Sequence, residues 1–78
     1  MDIIDVVIHV NESLGEDARH GLEDRMRTVE GVIAPRFNDP TPHLMVVAYN
    51  NDRTTAHALL DEVQHSGYHG QVVGGFGL

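Results

Sequence analysis

Two apolar stripes at helical spacing, each set between runs of β-branched residues, constrain this chain more than any other feature. The first stripe is Leu14, Ala18, Leu22, Met26 and Val29, at steps of four and three, and predicts a helix over about Leu14 to Glu30. The second is Ala56, Leu59, Leu60 and Val63, with Thr54 in front as the expected N-cap and Ser66 and Gly67 behind as its close. Before the first stripe, Ile3 to Val10 alternates as a strand, with Ile4, Val6, Ile8 and Val10 on one face and Asp5, Val7 and His9 on the other. Gly31 ends the first helix, and "VIAPRF" follows as a short strand that Pro35 confines to a sheet edge. "NDPTP" turns the chain into a third strand, His43 to Tyr49, and "NNDRT" turns it into the second helix. "GQVVGGF" makes the last strand. The order is βαββαβ.

Two right-handed βαβ halves of this size interlock as a split βαβ sheet. The expected fold is therefore a ferredoxin-like α/β (α+β) sandwich, an antiparallel sheet in the order 4-1-3-2 with two helices on one face. At 78 residues the chain has room for one core, so residues 1–78 are expected to form a single domain.

Many families share that pattern, so function must come from the residues. The formal charge is −7, and the five cations are scattered arginines, Arg19, Arg25, Arg27, Arg36 and Arg53. A phosphate backbone would be repelled, and with only Phe37, Phe76, Tyr49 and Tyr68 as aromatics, RNA stacking on the sheet is excluded as well. Acylphosphatase chemistry needs an arginine in the loop after the first strand, where "NESLGE" offers acids. The N-terminal segment has acids where a secretory leader has a basic region, and its apolar run is too short to span a bilayer. A cytoplasmic protein without nucleic-acid or membrane partners is expected. Cysteine is absent, which removes thiolate metal sites and cysteine nucleophiles together.

"VVIHV", the helix "ARHGLEDRMRTVEGV" ending in Gly31-Val32, "VVAYN", and a second helix closed by "SGY" at Ser66 to Tyr68 together resemble the heavy-metal-associated domain of copper chaperones and P-type metal ATPases. The resemblance covers nearly the whole chain. It implies a Met-x-Cys-x-x-Cys loop after the first strand, whose second cysteine lies thirteen residues before the glycine of the Gly-Val pair. Here that count lands on Ala18, which puts the first cysteine position at Gly15 and the methionine position at Ser13. Tyr68 matches the aromatic or basic residue that flanks the loop. "SLGEDA" thus occupies the thiolate positions, and two-thiolate capture of Cu(I) does not transfer.

The replaced loop has two readings. Ser13 and Glu16 fit a capping box, and Glu16 and Asp17 suit the positive end of the helix dipole, so the stretch serves to start a helix. Alternatively, it joins a ligand site. The six histidines are the only soft ligands of note, and the inferred topology brings His43, His65 and His69 to one rim, with His9 near it on the open sheet face and His20 in the upper part of the first helix. His43, His65 and His69 with Glu12 or Glu16 would suit a divalent transition metal such as Zn²⁺, Ni²⁺, Co²⁺ or Cu²⁺. The metal-free reading gives His65 a place at a helix C-terminus with Asp61 one turn earlier, and leaves His20 on the surface. Gly21, inside a helix, marks an expected close approach of another backbone or of a partner.

No catalytic residue is expected. Ser13 and Ser66 sit at helix ends without an activating histidine, and the pairs Glu16/Asp17, Glu23/Asp24 and Asp61/Glu62 diverge around their helices as solvated surface. Helices on one face only would leave Val7, His9, Val46 and Ala48 on an open apolar face, with Phe76 and Leu78 of the tail as further anchors. A protein partner or a second copy would cover it. The residues point to a small non-enzymatic binding module that acts through protein interaction or self-association, or alternatively through a bound divalent metal.

Overall fold

The computed structural model describes residues 2–76. Its elements run β1 (Ile3–Val10), α1 (Glu16–Arg27), β2 (Val32–Asn38), β3 (Thr41–Asn50), α2 (Ala56–His65) and β4 (Gly70–Phe76). The sheet order is β2-β3-β1-β4, antiparallel throughout, which is the expected 4-1-3-2 read from its other edge. Alternation decides the layers. Val6, Ile8 and Val10 of β1 and Met45, Val47 and Tyr49 of β3 are buried, and they meet Leu22 and Met26 of α1 and Leu59 and Val63 of α2 in one core. Both helices cover that face of the sheet.

The helix ends differ from the sequence reading. α1 starts at Glu16, with Gly15 as an extended N-cap that offers no side-chain bond, so the Ser13–Glu16 capping box does not form. Leu14 instead packs against the core just before the helix, and anchoring that side chain offsets the roughly 1 kcal/mol a cap supplies. The helix also closes earlier, at Thr28, whose amide bonds to the Arg25 carbonyl. Three residues later Gly31 takes φ +97, and a Cβ there would stand 2.7 Å from the Arg53 Cβ, so both backbone sign and space demand glycine. At α2 the N-cap is Thr55, whose hydroxyl accepts from the Ala58 amide. Thr54, the expected cap, is buried against Gly31 instead. Gly21 has open space where its Cβ would stand, so the expected close approach is absent within the described residues.

Glu23 departs furthest from expectation. Far from being solvated, it is 8% exposed, and its Oε2 accepts the Phe37 backbone N–H of β2 at 2.7 Å while Oε1 accepts from His20 Nδ1 at 3.1 Å. It fastens α1 to the sheet edge. Four arginines are engaged within the chain, Arg19 with Asp39, Arg25 with Glu62, Arg27 with Asp24 and Arg53 with Glu30. Exposed pairs of this kind add little stability, but they leave no basic stripe. Among the described residues, no helix is long and apolar enough to cross a membrane.

Candidate functional site

The sheet topology brings the end of β1, the start of β3 and the α2–β4 junction to one rim. Three consecutive residues, the last of β1 and the two that follow it, organise it. The Val10 carbonyl accepts from His43 Nδ1 at 2.7 Å, the Asn11 side-chain oxygen accepts from His9 Nδ1 at 3.1 Å, and Glu12 Oε2 accepts from His69 Nδ1 at 2.6 Å. The backbone closes the same seam, with Asn11 N–H donating to the His69 carbonyl and His69 N–H donating to Glu12 Oε1, each at 2.8 Å. Because carbonyl and carboxylate oxygens only accept, each ring carries its proton on Nδ1 and leaves Nε2 available as an acceptor or ligand when neutral. The bonds from His69 hold the Glu12 carboxyl below its ordinary value.

Across the sheet, His9 lies beside Leu44 in the β1–β3 register, one residue from His43. The two imidazoles stack with ring centres 5.4 Å apart and planes 10° from parallel. His9 was expected only near the rim, and its partnership with His43 was not anticipated. The signal lies in the pairing register, which local sequence does not contain.

The other expected ligands are distributed differently. His43, His69 and Glu12 share the rim, whereas His65 is exposed in the last turn of α2. Glu16 turns to His20, 3.6 Å from its Nε2. Among the described residues, no set of three or more histidine, aspartate or glutamate side chains is grouped so as to hold one metal ion. The five-residue set His43, His65, His69, Glu12 and Glu16 is therefore divided. Asp61 stands 3.5 Å from His57, rather than serving His65.

A second, open cleft of about 210 Å³ is lined by Glu16, Arg19, His20, Glu23, Phe37 and Asp39. There His20 lies between two carboxylates, and its hydrogen bond to Glu23 raises its pKa above 6.5; desolvation opposes the shift, and the weaker interaction with Glu16 adds to it. This histidine is a clamp on Glu23.

The open sheet face is less exposed than the composition suggested. Val7, Val46 and Ala48 are half-buried, with Val7 set between Val46 and Gly74 in the ladders. The large apolar side chains that reach solvent are Ile3, Ile33, Val72 and Val73, toward the sheet margins. Phe76 pairs with Asp5 in the β1–β4 ladder, while its side chain and Leu78 lie outside the described residues.

Solved structures with this architecture include the copper-binding domain from HMA7, a P-type ATPase, with 12% identity and a TM-score of 0.84 over 96% of this chain and 97% of that one. Oxidized MerP from Ralstonia metallidurans CH34 has 19% identity and a TM-score of 0.82 over 92% and 99% of the two chains. The N-terminal domain of a potential copper-translocating P-type ATPase from Bacillus subtilis, in its Cu(I)-loaded state, has 20% identity and a TM-score of 0.84 over 96% and 91%. The fold is that of a heavy-metal-associated domain. At these identities the likeness is one of architecture; no protein-family model matches the chain, and no curated protein sequence matches it significantly.

On the heavy-metal-associated scaffold, the loop positions inferred from the sequence are Ser13, Gly15 and Ala18, with Tyr68 opposite. Ser13 is exposed, Gly15 is the helix N-cap, Ala18 is half-buried, and Tyr68 rests partly buried on the core. A hydrogen, a methyl group and a neutral hydroxyl do not make a soft-metal site. The residues at these positions do not fit Cu(I).

Proposed function

We propose that this chain is a non-enzymatic binding module on the heavy-metal-associated scaffold, acting by strand pairing at β4 with a second copy of itself. One observation carries the reading: the two edges of the sheet are treated differently. On β2, Pro35 lacks an N–H and the outward Phe37 N–H is taken by Glu23. These are alternate residues on one strand, so the outer donor row is removed where it matters. β4, "GQVVGGF", has no proline and no charge, and among the described residues no side-chain hydrogen bond reaches it. Val72 and Val73 are 45% and 54% exposed there. The β1–β4 register skips Val73 as a local bulge; apart from that irregularity the edge is unguarded, and such an edge is a template for another strand.

Charge favours a like partner at this edge rather than elsewhere. A molecule of net charge −7 meets its copy with least repulsion where the strand is neutral, and antiparallel pairing of identical strands closes on a two-fold axis. The non-enzymatic part rests on chemistry. Ser66 Oγ donates to the Glu62 carbonyl at 2.9 Å as a helix-end bond, and among the described residues no hydrogen bond joins Ser13 to a histidine, so nothing there activates either serine.

Sedimentation velocity from micromolar to millimolar protein tests the reading. A concentration-dependent dimer is expected, and Val73→Lys, which sets like charges across the axis, is expected to leave a folded monomer. A monomer at every concentration, or a dimer unchanged by Val73→Lys, would overturn it.

A further inference from the structure

We propose that the cleft between α1 and the β2–β3 turn binds a free α-amino acid with an apolar side chain, a role independent of β4 pairing. The helix supplies most of the wall. Glu16, Arg19, His20 and Glu23 are three and four residues apart and so share one face of α1, and Phe37 and Asp39 complete the lining from β2 and the turn after it. At about 210 Å³ the cleft is smaller than the roughly 300–1,000 Å³ of sites for drug-sized ligands, so its occupant is small.

The bonding inside the cleft leaves one group unspent. Glu23 gives its two oxygens to the Phe37 amide and to His20, and His20 turns its second nitrogen to Glu16. Arg19 has no such closure. Its side chain is only 17% exposed, yet among the described residues its guanidinium makes no hydrogen bond, and Asp39 Oδ1 lies 3.9 Å from Nη2, beyond hydrogen-bonding distance. Asp39 itself is 99% exposed, so water screens that pairing. A largely buried fork of N–H donors is matched by a carboxylate, which it binds through two parallel bonds.

Charge decides which kind of carboxylate. The lining sets Glu16, Glu23 and Asp39 against Arg19 and His20, so the balance is negative even with the imidazole protonated. A simple anion meets that surplus as repulsion, and a simple cation meets Arg19. A zwitterion brings no net charge: its carboxylate takes the Arg19 fork, and its ammonium group is drawn to Asp39 and Glu16, the two acids of the cleft most open to solvent. Phe37, partly buried against the core, offers an apolar wall for the side chain.

The test is a titration of the full chain with leucine, followed by NMR at the Arg19 Nε–H and the Phe37 amide, and repeated with isovalerate and isoamylamine, which lack the ammonium group and the carboxylate. Leucine is expected to shift both signals and saturate near millimolar concentration, with each half-ligand at least about tenfold weaker. Arg19→Lys keeps the charge and the stem but loses the fork, and is expected to weaken leucine by at least about tenfold. Asp39→Asn, at an exposed turn position, is expected to weaken leucine by about two- to fivefold without weakening isovalerate. Arg36→Gln, outside the cleft, is expected to change neither. The absence of a saturable shift at Arg19 and Phe37, isovalerate binding as tightly as leucine, or leucine affinity unchanged by Arg19→Lys in a folded protein would overturn the proposal.

Discussion

Replacing Glu23 with alanine probes the one residue whose role inverts between sequence and structure. Its carboxylate accepts two hydrogen bonds, from the Phe37 amide at 2.7 Å and from His20 Nδ1 at 3.1 Å. Hydrogen bonds to charged groups contribute about 1.5–3 kcal/mol. The His20 side chain is 64% exposed and regains water when released, which reduces that share. Alanine returns a few tenths of a kcal/mol through its better helix propensity. The Phe37 bond dominates, and the net loss is expected to be about 2 kcal/mol. For a domain of this size that lowers Tm by roughly 8–16 °C. Urea unfolding followed by circular dichroism measures it, with an unchanged m value showing that the denatured ensemble is not the cause. Glu23→Gln keeps an acceptor for the Phe37 amide and is expected to lose about half as much. A loss below about 0.5 kcal/mol for Glu23→Ala would place the residue among ordinary surface positions and refute the edge-fastening role.

Two glycines next to or within α1 are expected to respond in opposite directions in the same unfolding assay. Gly21→Ala gains about 1 kcal/mol, because its Cβ enters open space inside a helix, whereas Gly31→Ala loses about 2–4 kcal/mol to a positive φ and a 2.7 Å contact with Arg53 Cβ. The raised pKa of His20 gives a pH dependence of definite sign. Its stabilising contribution is full below 6.5, its ordinary value, and is lost as pH rises through the higher folded value. Unfolding measured across that interval should show the decline, and His20→Gln should flatten it.

Much of the architecture was legible because it rests on periodicity. The alternation of Val6, Ile8 and Val10 and the stripe through Leu22 and Met26 each name a buried face, and those faces meet in the core. The caps were less legible, since Ser13 and Thr54 satisfy a local rule that Leu14 and Gly31 override through packing. The rim was half visible. Topology assembled His43, His69 and Glu12, but the same reasoning included His65 and Glu16, whose side chains go to solvent and to His20.

The sequence by itself determined the element order, the identity of the core stripes, the loss of thiolate chemistry and the acidic charge, because each follows from residue type and short-range spacing. Only the tertiary structure decided which polar groups meet. Glu23 reaches Phe37 across fourteen positions, Glu12 reaches His69 across fifty-seven, and His9 stacks on His43 only because two antiparallel strands share one register. A side chain's composition records what it can bond to. Where its partner lies is set by the sheet, whose register is fixed when the apolar alternation of β1 and β3 is buried together.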